Sequence, residues 1–323
     1  DVIVNNPPTR GQYAGDDEYY EVIVRTRVDG SFSRVIMIDQ MPIEAYAVVR
    51  ANTSEEGMSD NAIHALDPDG TAMEFKGNVG VYVDGGNIMS NGAIEKRGAS
   101  GDIMVQKGKI HYVQGSANDW LGKVSPAPEK VSNPAFLPTI PMPDCGTTYR
   151  DVPQNKKGQK VFSPGIYRDT IQINAHDNVL FEPGLYCLMN GLRDNGNSKT
   201  VGKGVTFVLL GGDLQFNGKS DINLSRPNDL VDASGNQWGG MLVYVPSSNK
   251  DANIDITGNN GTTYAGTIYN PEGTCRIGGT SDSLGIKANI ACFHVLFHGN
   301  PKINISYKAA QNYRLPPFIE LSE

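Results

Sequence analysis

Apolar and polar residues alternate along this chain in short bursts, and the bursts repeat. Leu214-Gln-Phe216-Asn-Gly218, followed by Ile222-Asn-Leu224-Ser, returns as Val295-Leu-Phe297-His-Gly299, followed by Ile303-Asn-Ile305-Ser. Looser copies are Ile254-Asp-Ile256-Thr-Gly258 with Thr262 and Tyr264, and Met73-Glu-Phe75-Lys-Gly77 with Val81 and Val83. A period of two puts alternate side chains on one face of a strand, and the glycine after each pair tolerates the positive φ of a turn. From Gly218 to Gly258 is 40 residues and from Gly258 to Gly299 is 41; Cys275-Arg-Ile277-Gly-Gly279 divides the second interval into 21 and 20. A strand-turn unit of that size cannot bury its apolar side alone, so it must stack on its neighbours. The pattern predicts a mainly β protein, a right-handed parallel β-helix with coils of about 20 residues.

The pattern changes at both ends of the chain and once in its middle. In residues 1–52, Tyr20 to Val28 and Ile43 to Val49 alternate as strands. Ser31 to Ile38 between them suits a short helix, with Ser31 as its cap. These features predict a small α+β module, with the solenoid occupying 53–323. Gly85-Gly-Asn-Ile-Met-Ser-Asn-Gly92 closely matches Gly211-Gly-Asp-Leu-Gln-Phe-Asn-Gly218, which places both stretches in one architecture. Between 117 and 160 the rhythm fails. Seven prolines crowd there, and proline cannot donate to a strand ladder. This segment is expected to run along the outside of the solenoid; a flexible interdomain linker is the alternative. The tail, Leu315 to Leu321, is expected to cover the last coil or to dock on another molecule.

Composition narrows the function more than it defines it. The net charge of −7 and the lack of a basic stripe argue against nucleic acid as a partner. No apolar run approaches the roughly 20 residues that span a bilayer. The chain opens on Asp1 without a signal peptide, which is expected of a cytosolic protein or of the processed part of an exported one. The four cysteines, Cys145, Cys187, Cys275 and Cys292, lie far apart with no CxxC pair suited to zinc. Cys275 and Cys292 are 17 residues apart, close to one coil, and neighbouring coils could bring them together, leaving Cys145 for Cys187. Spacing leaves all three pairings open, and free buried thiols remain the alternative to disulfides. Oxidised cysteines would imply an extracytoplasmic home.

The order of several motifs is familiar. Asn5-Asn-Pro-Pro-Thr-Arg-Gly-Gln-Tyr-Ala-Gly15, Tyr20-Glu-Val-Ile-Val, Phe32-Ser-Arg-Val and Ala45-Tyr-Ala-Val-Val-Arg-Ala51 resemble the periplasmic or extracellular part of TadE/TadG-like pilus-assembly proteins. Some members of that family continue into a Gly/Asn-rich repeat. Its look is matched by Pro164-Gly-Ile-Tyr, Pro183-Gly-Leu-Tyr-Cys187 and Ala265-Gly-Thr-Ile-Tyr-Asn-Pro271. The resemblance implies an exported, non-catalytic surface protein, whose partners would be pilus or envelope components. It implies contact with a membrane only through an upstream helix that this sequence lacks. Relatives with a von Willebrand-type metal site use Asp-x-Ser-x-Ser. Asp29, Ser31 and Ser33 have that spacing, but the large α/β domain that completes the site is missing, so a turn and cap is the preferred reading.

A solenoid stacks equivalent residues into ladders, so surface chemistry can be tested from the repeat. The outward residues of the four C-terminal copies are Gln215, Asp255, Arg276 and Leu296, preceded by Asp213, Asn253, Thr274 and His294. A polysaccharide lyase or hydrolase of this shape would gather carboxylates and a basic residue on one face. These ladders mix residue types, and Asp255 with Arg276 reads as a cross-coil ion pair. His294 and His298 read as a satisfied or exposed pair, Asp16-Asp-Glu18 and Asp67-Pro-Asp69-Gly as turns, and Asn223 with Asn304 as an amide ladder. No catalytic, cofactor-binding or metal-binding residue is assigned. The expected function is a structural or adhesive surface scaffold that self-associates through the solenoid ends and terminal segments. The alternative is a carbohydrate-binding or carbohydrate-cleaving β-helix, with Tyr82, Tyr167, Tyr186, Tyr244 and Tyr264 available to stack on sugar rings.

Overall fold

Each alternating burst forms a strand, and three strands make one coil. The coil that begins at Gly184 shows the plan: Gly184–Leu188 on a first face, Leu192–Asp194 on a second and Lys199–Lys203 on a third. The first two faces belong to one 17-stranded sheet, and the third is an 11-stranded sheet. The result is a parallel β-solenoid of about 10 turns. The computed structural model describes residues 1–17, 19–29, 40–52, 58–98, 101–115, 123–132, 137, 140–150, 153–156, 158–216, 219–259, 261–279, 284–315 and 318–321. Among them, no helix is long and apolar enough to cross a membrane.

The copies recognised in sequence stack in register on the second face. Leu214 pairs with Ile254, Ile254 with Cys275, Cys275 with Val295, and Val295 with Met73. The 41-residue interval is thus two coils, as the intermediate copy indicated. The 40-residue interval is a single coil, and its extra length forms an insertion around 226–240. The inward side chains fill the bore: Phe75 stacks on Phe297 with ring centroids 5.0 Å apart, and Phe162 on Phe181 at the same distance. Each such side chain, fully buried, contributes roughly 1.5–3 kcal/mol. The template glycine is needed for close approach as well as for its φ. Gly258, Gly279 and Gly299 lie over one another, and a Cβ on Gly299 (φ +90) would sit 2.6 Å from the Gly279 carbonyl oxygen. Gly218 lies outside the described residues.

The coils do not stack in chain order. Along the third face the sequence of strands is 154–156 (antiparallel to its neighbour), 159–162, 178–181, 199–203, 221–225, 263–265, 284–287 and 302–306. It then continues with 80–84, 103–106 and 124–125. The early coils therefore sit on the last one, with Ile303 beside Val81 and Ile305 beside Val83 in parallel register. The proline-rich segment carries the chain back to the opposite end of the stack. Its start pairs with the early coils, His111 beside Glu129. Its end pairs with the late ones, Tyr149 beside Ile166. The extended segment is thus packed on the solenoid at both of its ends.

Two disulfides fix this path. Cys275–Cys292 joins successive coils from the inside, both residues being fully buried. Cys145–Cys187 ties the proline-rich segment to the outward side of the first face. Bonds of this kind belong to an oxidising compartment.

The compact units are Gly57–Arg314, which holds the solenoid, and Asp1–Glu56 together with Leu315–Glu323. The tail, expected with the solenoid, instead supplies the strand Phe318–Leu321, antiparallel to Gln40–Asn52. The order in that smaller sheet is Val2–Asn5, Tyr19–Asp29, Gln40–Asn52, Phe318–Leu321. The helix expected from Ser31 to Ile38 lies outside the described residues, as do Ser31 and Ser33 of the Asp29 motif.

Candidate functional site

The first face offers little to solvent. Its outward ladder includes Cys187, Val208, Tyr244, Tyr269, Ala291 and His64, all at most 7% exposed. Three segments cover it. From the proline-rich segment, the Ile140 carbonyl accepts a hydrogen bond from the Tyr244 hydroxyl at 3.2 Å. From the insertion, Trp238 packs on Tyr244 with centroids 5.2 Å apart. Tyr313 meets Trp238 at 6.0 Å, and its N–H donates to the Thr267 hydroxyl at 2.8 Å. Asp232 locks the first two together by accepting from the Asp144 N–H at 2.8 Å and the Trp238 indole at 3.0 Å. Burial works to raise the Asp232 carboxyl, but hydrogen bonds from Asp144, Asn236 and Trp238 outweigh it and hold the group at about 2.

The second face is bare, and the most chemically varied site lies there. Its outward ladder runs Gln172, Arg193, Gln215, Asp255, Arg276, Leu296, Glu74, Glu95. A depression of about 350 Å³ opens over its middle, lined by Gln215, Phe216, Asp255, Thr257, Arg276, Leu296 and His298. Asp255 and Arg276 are cross-coil neighbours, with Arg276 Nε 3.9 Å from Asp255 Oδ1. That separation is too long for a hydrogen bond, and Oδ1 is a buried acceptor with no other partner among the described residues. Burial raises the Asp255 carboxyl, with Arg276 and His298 opposing and Asp213 adding. Burial lowers the His298 imidazole, against the pull of Asp255 and with Arg276 and Lys76 reinforcing. One recess therefore holds a carboxyl biased toward its acid form, an imidazole biased toward its neutral form and a guanidinium. Such a set can donate to, accept from and neutralise a polar ligand.

Sequence reading stopped short of this site in two respects. It saw Asp255 and Arg276, but His298 joins them only through the register of Gly278 with His298, two residues along from the ladder position. It also read no adjacent acids. Glu74 lies beside Glu95 on successive early coils, with Arg97 between them at 3.4 and 2.7 Å. His294, by contrast, turns to Asp67 at 2.8 Å, and Asp67 also caps its own turn by accepting the Asp69 N–H at 2.9 Å. Asp16 and Asp17 are exposed, and Glu18 lies outside the described residues. Among the described residues, no three His, Cys, Asp or Glu side chains converge as a metal site would require.

The third face corrects the expected amide ladder. Asn223 pairs with Thr263, Thr263 with Gly285 and Gly285 with Asn304, so two coils separate the asparagines. Of the five tyrosines considered for sugar stacking, Tyr167, Tyr186, Tyr244 and Tyr264 are buried at 4% exposed or less. Tyr244 faces outward beneath the covering segments, and Tyr82 alone of the five is not buried, with the Lys302 ammonium 5.1 Å from its ring centre. No protein-family model, curated protein or solved structure matches the chain.

Proposed function

We propose that the chain is an extracytoplasmic structural protein, a disulfide-fixed solenoid that serves as a rigid scaffold in a surface or envelope assembly. The observation that carries this reading is the covered first face. A long segment is spent on strapping the coils together, and it is tied by a disulfide on the outside while a second staples the bore. That arrangement resists shear between coils, which a spacer or display rod needs and a soluble binding module does not. The mixed outward ladders of the second face and the acidic net charge are consistent with a solvated wall. The motif order that resembles TadE/TadG-like proteins suggests pilus-related assembly, with pilus subunits or other envelope components as partners.

Fractionation of the native host, combined with thiol alkylation before and after reduction, tests the proposal. The expected result is protein outside the cytoplasmic membrane with all four cysteines blocked. A cytoplasmic pool with free thiols would overturn it. Co-purification of pilus subunits is expected if the assembly is pilus-related, and imaging of native cells distinguishes filament, coat and isolated molecules. Contact through the solenoid ends would make solution mass rise with concentration.

A second reading rests on the depression around Asp255, Arg276 and His298. There the chain would bind or cleave an extracellular polysaccharide, with Arg276 meeting acidic groups and Asp255 and His298 serving as acid and base. Incubation with pectin- or alginate-like polymers would then give new ends, and Asp255→Asn would abolish them. No new ends in either protein excludes cleavage.

A further inference from the structure

The smaller unit carries an apolar surface that the scaffold reading does not use. In its antiparallel sheet Val2 lies opposite Val24, Val24 opposite Ala45, and Thr26 opposite Ile43. Directly opposed residues share a face, and so do positions two apart along a strand. One face therefore collects Val2, Val4, Val24, Met41 and Ile43, and these are exposed by 68, 59, 44, 46 and 48%. The same registers place Tyr20, Val22, Thr26, Ala45, Ala47 and Val49 on that face, none of them charged. Among the described side chains of these strands, the charged ones, Glu21, Arg25, Arg27 and Glu44, lie on the opposite face. There Arg10 bonds Glu21 at 2.8 Å and Glu44 at 2.9 Å, and Arg25 bonds Glu44 at 2.7 Å. Glu21 is fully buried, and hydrogen bonds from Asn5 and Thr9 hold its carboxyl at about 2 despite burial. The polar side of the sheet is thus paired within itself, while the five apolar residues opposite it are exposed. Isolated exposed aliphatics are ordinary, but a contiguous face of them marks an interaction surface.

We propose that this face is a self-association surface, on which a second copy of the chain packs its identical face sheet on sheet about a twofold axis. Three properties favour a second copy over another partner. The chain is acidic, with net charge −7, so copies repel except where a surface bears no charge, and this face bears none. A twofold brings each patch onto itself, so an uncharged and mainly apolar patch is self-complementary without further design. A β face is also matched by another β face of the same twist, with side chains interdigitating across about 10 Å. The exposed apolar area is on the order of 500 Å² per copy, hence about 1,000 Å² per pair, at the lower limit for a specific interface. The pair is therefore weak and concentration-dependent, suited to contacts repeated along an assembly. This surface belongs to the smaller unit, and the proposal stands or falls independently of where the protein resides.

The test uses the full chain. Sedimentation over a wide concentration range is expected to show mass rising toward the dimer. Val24→Glu with Ile43→Glu should move the midpoint at least about tenfold higher in concentration. Both positions are exposed, so the variant should keep the wild-type circular dichroism and both disulfides. All four cysteines are paired, so a single introduced thiol is the only one available. Val24→Cys is expected to give cross-linked dimers with a short bis-maleimide, whereas Arg27→Cys, on the charged face, should not. A chain that stays monomeric at every concentration overturns the proposal, as does equal cross-linking from both positions. Flotation with phosphatidylcholine vesicles that Val24→Glu abolishes, in a chain that never dimerises, would also overturn it and assign the face to lipid.

Discussion

The first and second faces of the solenoid are built from the same stacked coils and differ almost entirely in what lies outside them. On the first face Val205–Leu209 and Met241–Tyr244 are buried at every position. On the second, Asn253–Gly258 alternates buried with half-exposed residues along its whole length. The inner layer is equally apolar in both cases, so the bore does not cause the difference. A covering layer does: the strap, the insertion and the segment around Tyr313 remove water from the first face, and polar outward residues would there be stranded. Strand alternation therefore reports on solvent, and a continuous apolar run marks a face with something over it.

The largest way to break that contrast is to remove the keystone of the cover. Trp238→Ala deletes a fully buried indole between Tyr244 and Tyr313 and should cost about 3–5 kcal/mol in urea unfolding. Arg193→Ala on the bare face should stay within about 0.5 kcal/mol.

Next come the disulfides. Replacing both members of either pair by alanine should cost about 2–4 kcal/mol. The two pairs should also differ in order of reduction. Cys145 is partly accessible, whereas Cys275 and Cys292 are fully buried. Mild reductant followed by alkylation and mass spectrometry should therefore label Cys145 and Cys187 first. Labelling of the inner pair first would contradict the assignment of one bond to the outside and one to the bore.

A smaller effect is confined to acid. The Asp232 carboxyl is held below its ordinary 3.8, at about 2, so its folded form is the weaker proton binder. The stability it contributes is complete above about 3.8 and is lost as pH falls through about 2. Melting temperature should thus drop over that window in the wild type, and less steeply in Asp232→Asn. Identical slopes would show that the clasp between Asp144 and Trp238 carries no charge-dependent stability.

The smallest effect belongs to the bare face. Arg276→Ala removes a half-exposed partner 3.9 Å from Asp255 and should change stability by less than about 1 kcal/mol. It should nevertheless raise the Asp255 carboxyl further, because Arg276 is the first group opposing the effect of burial. Titration of that carboxyl by NMR checks the sign.

Much of this was legible because stacking turns sequence spacing into geometry. The repeat Leu214-Gln-Phe216 and its copies named the inward and outward residues correctly, and it set Asp255 beside Arg276 before any coordinates. Gly85 to Gly92 and Gly211 to Gly218 do belong to one architecture, although Asn87–Ser90 lies on the first face and Leu214–Phe216 on the second. One look-alike misled. Asn223 and Asn304 occupy the same face with two coils between them, because the period fixes the position around the coil and leaves the number of intervening coils open. His298 was read only with His294, because it lies one outward position beyond Asp255 and Arg276, and Glu95 went unread because Lys96 stands where the template has an apolar residue.

By itself the sequence determined the unit: two-residue alternation, a glycine where backbones meet at a corner, about 20 residues per turn, and hence a stack of parallel strands. Only the tertiary structure decided the order of that stack. Every coil presents the same row of backbone N–H and C=O groups at its edge, so hydrogen bonding gives a strand no address. Nothing in Ile303-Asn-Ile305 selects Val81-Tyr-Val83 as its neighbour. The address comes from long-range constraints: a proline-stiffened strap that reaches from one end of the stack back to the other, and a disulfide at Cys187 that holds it there.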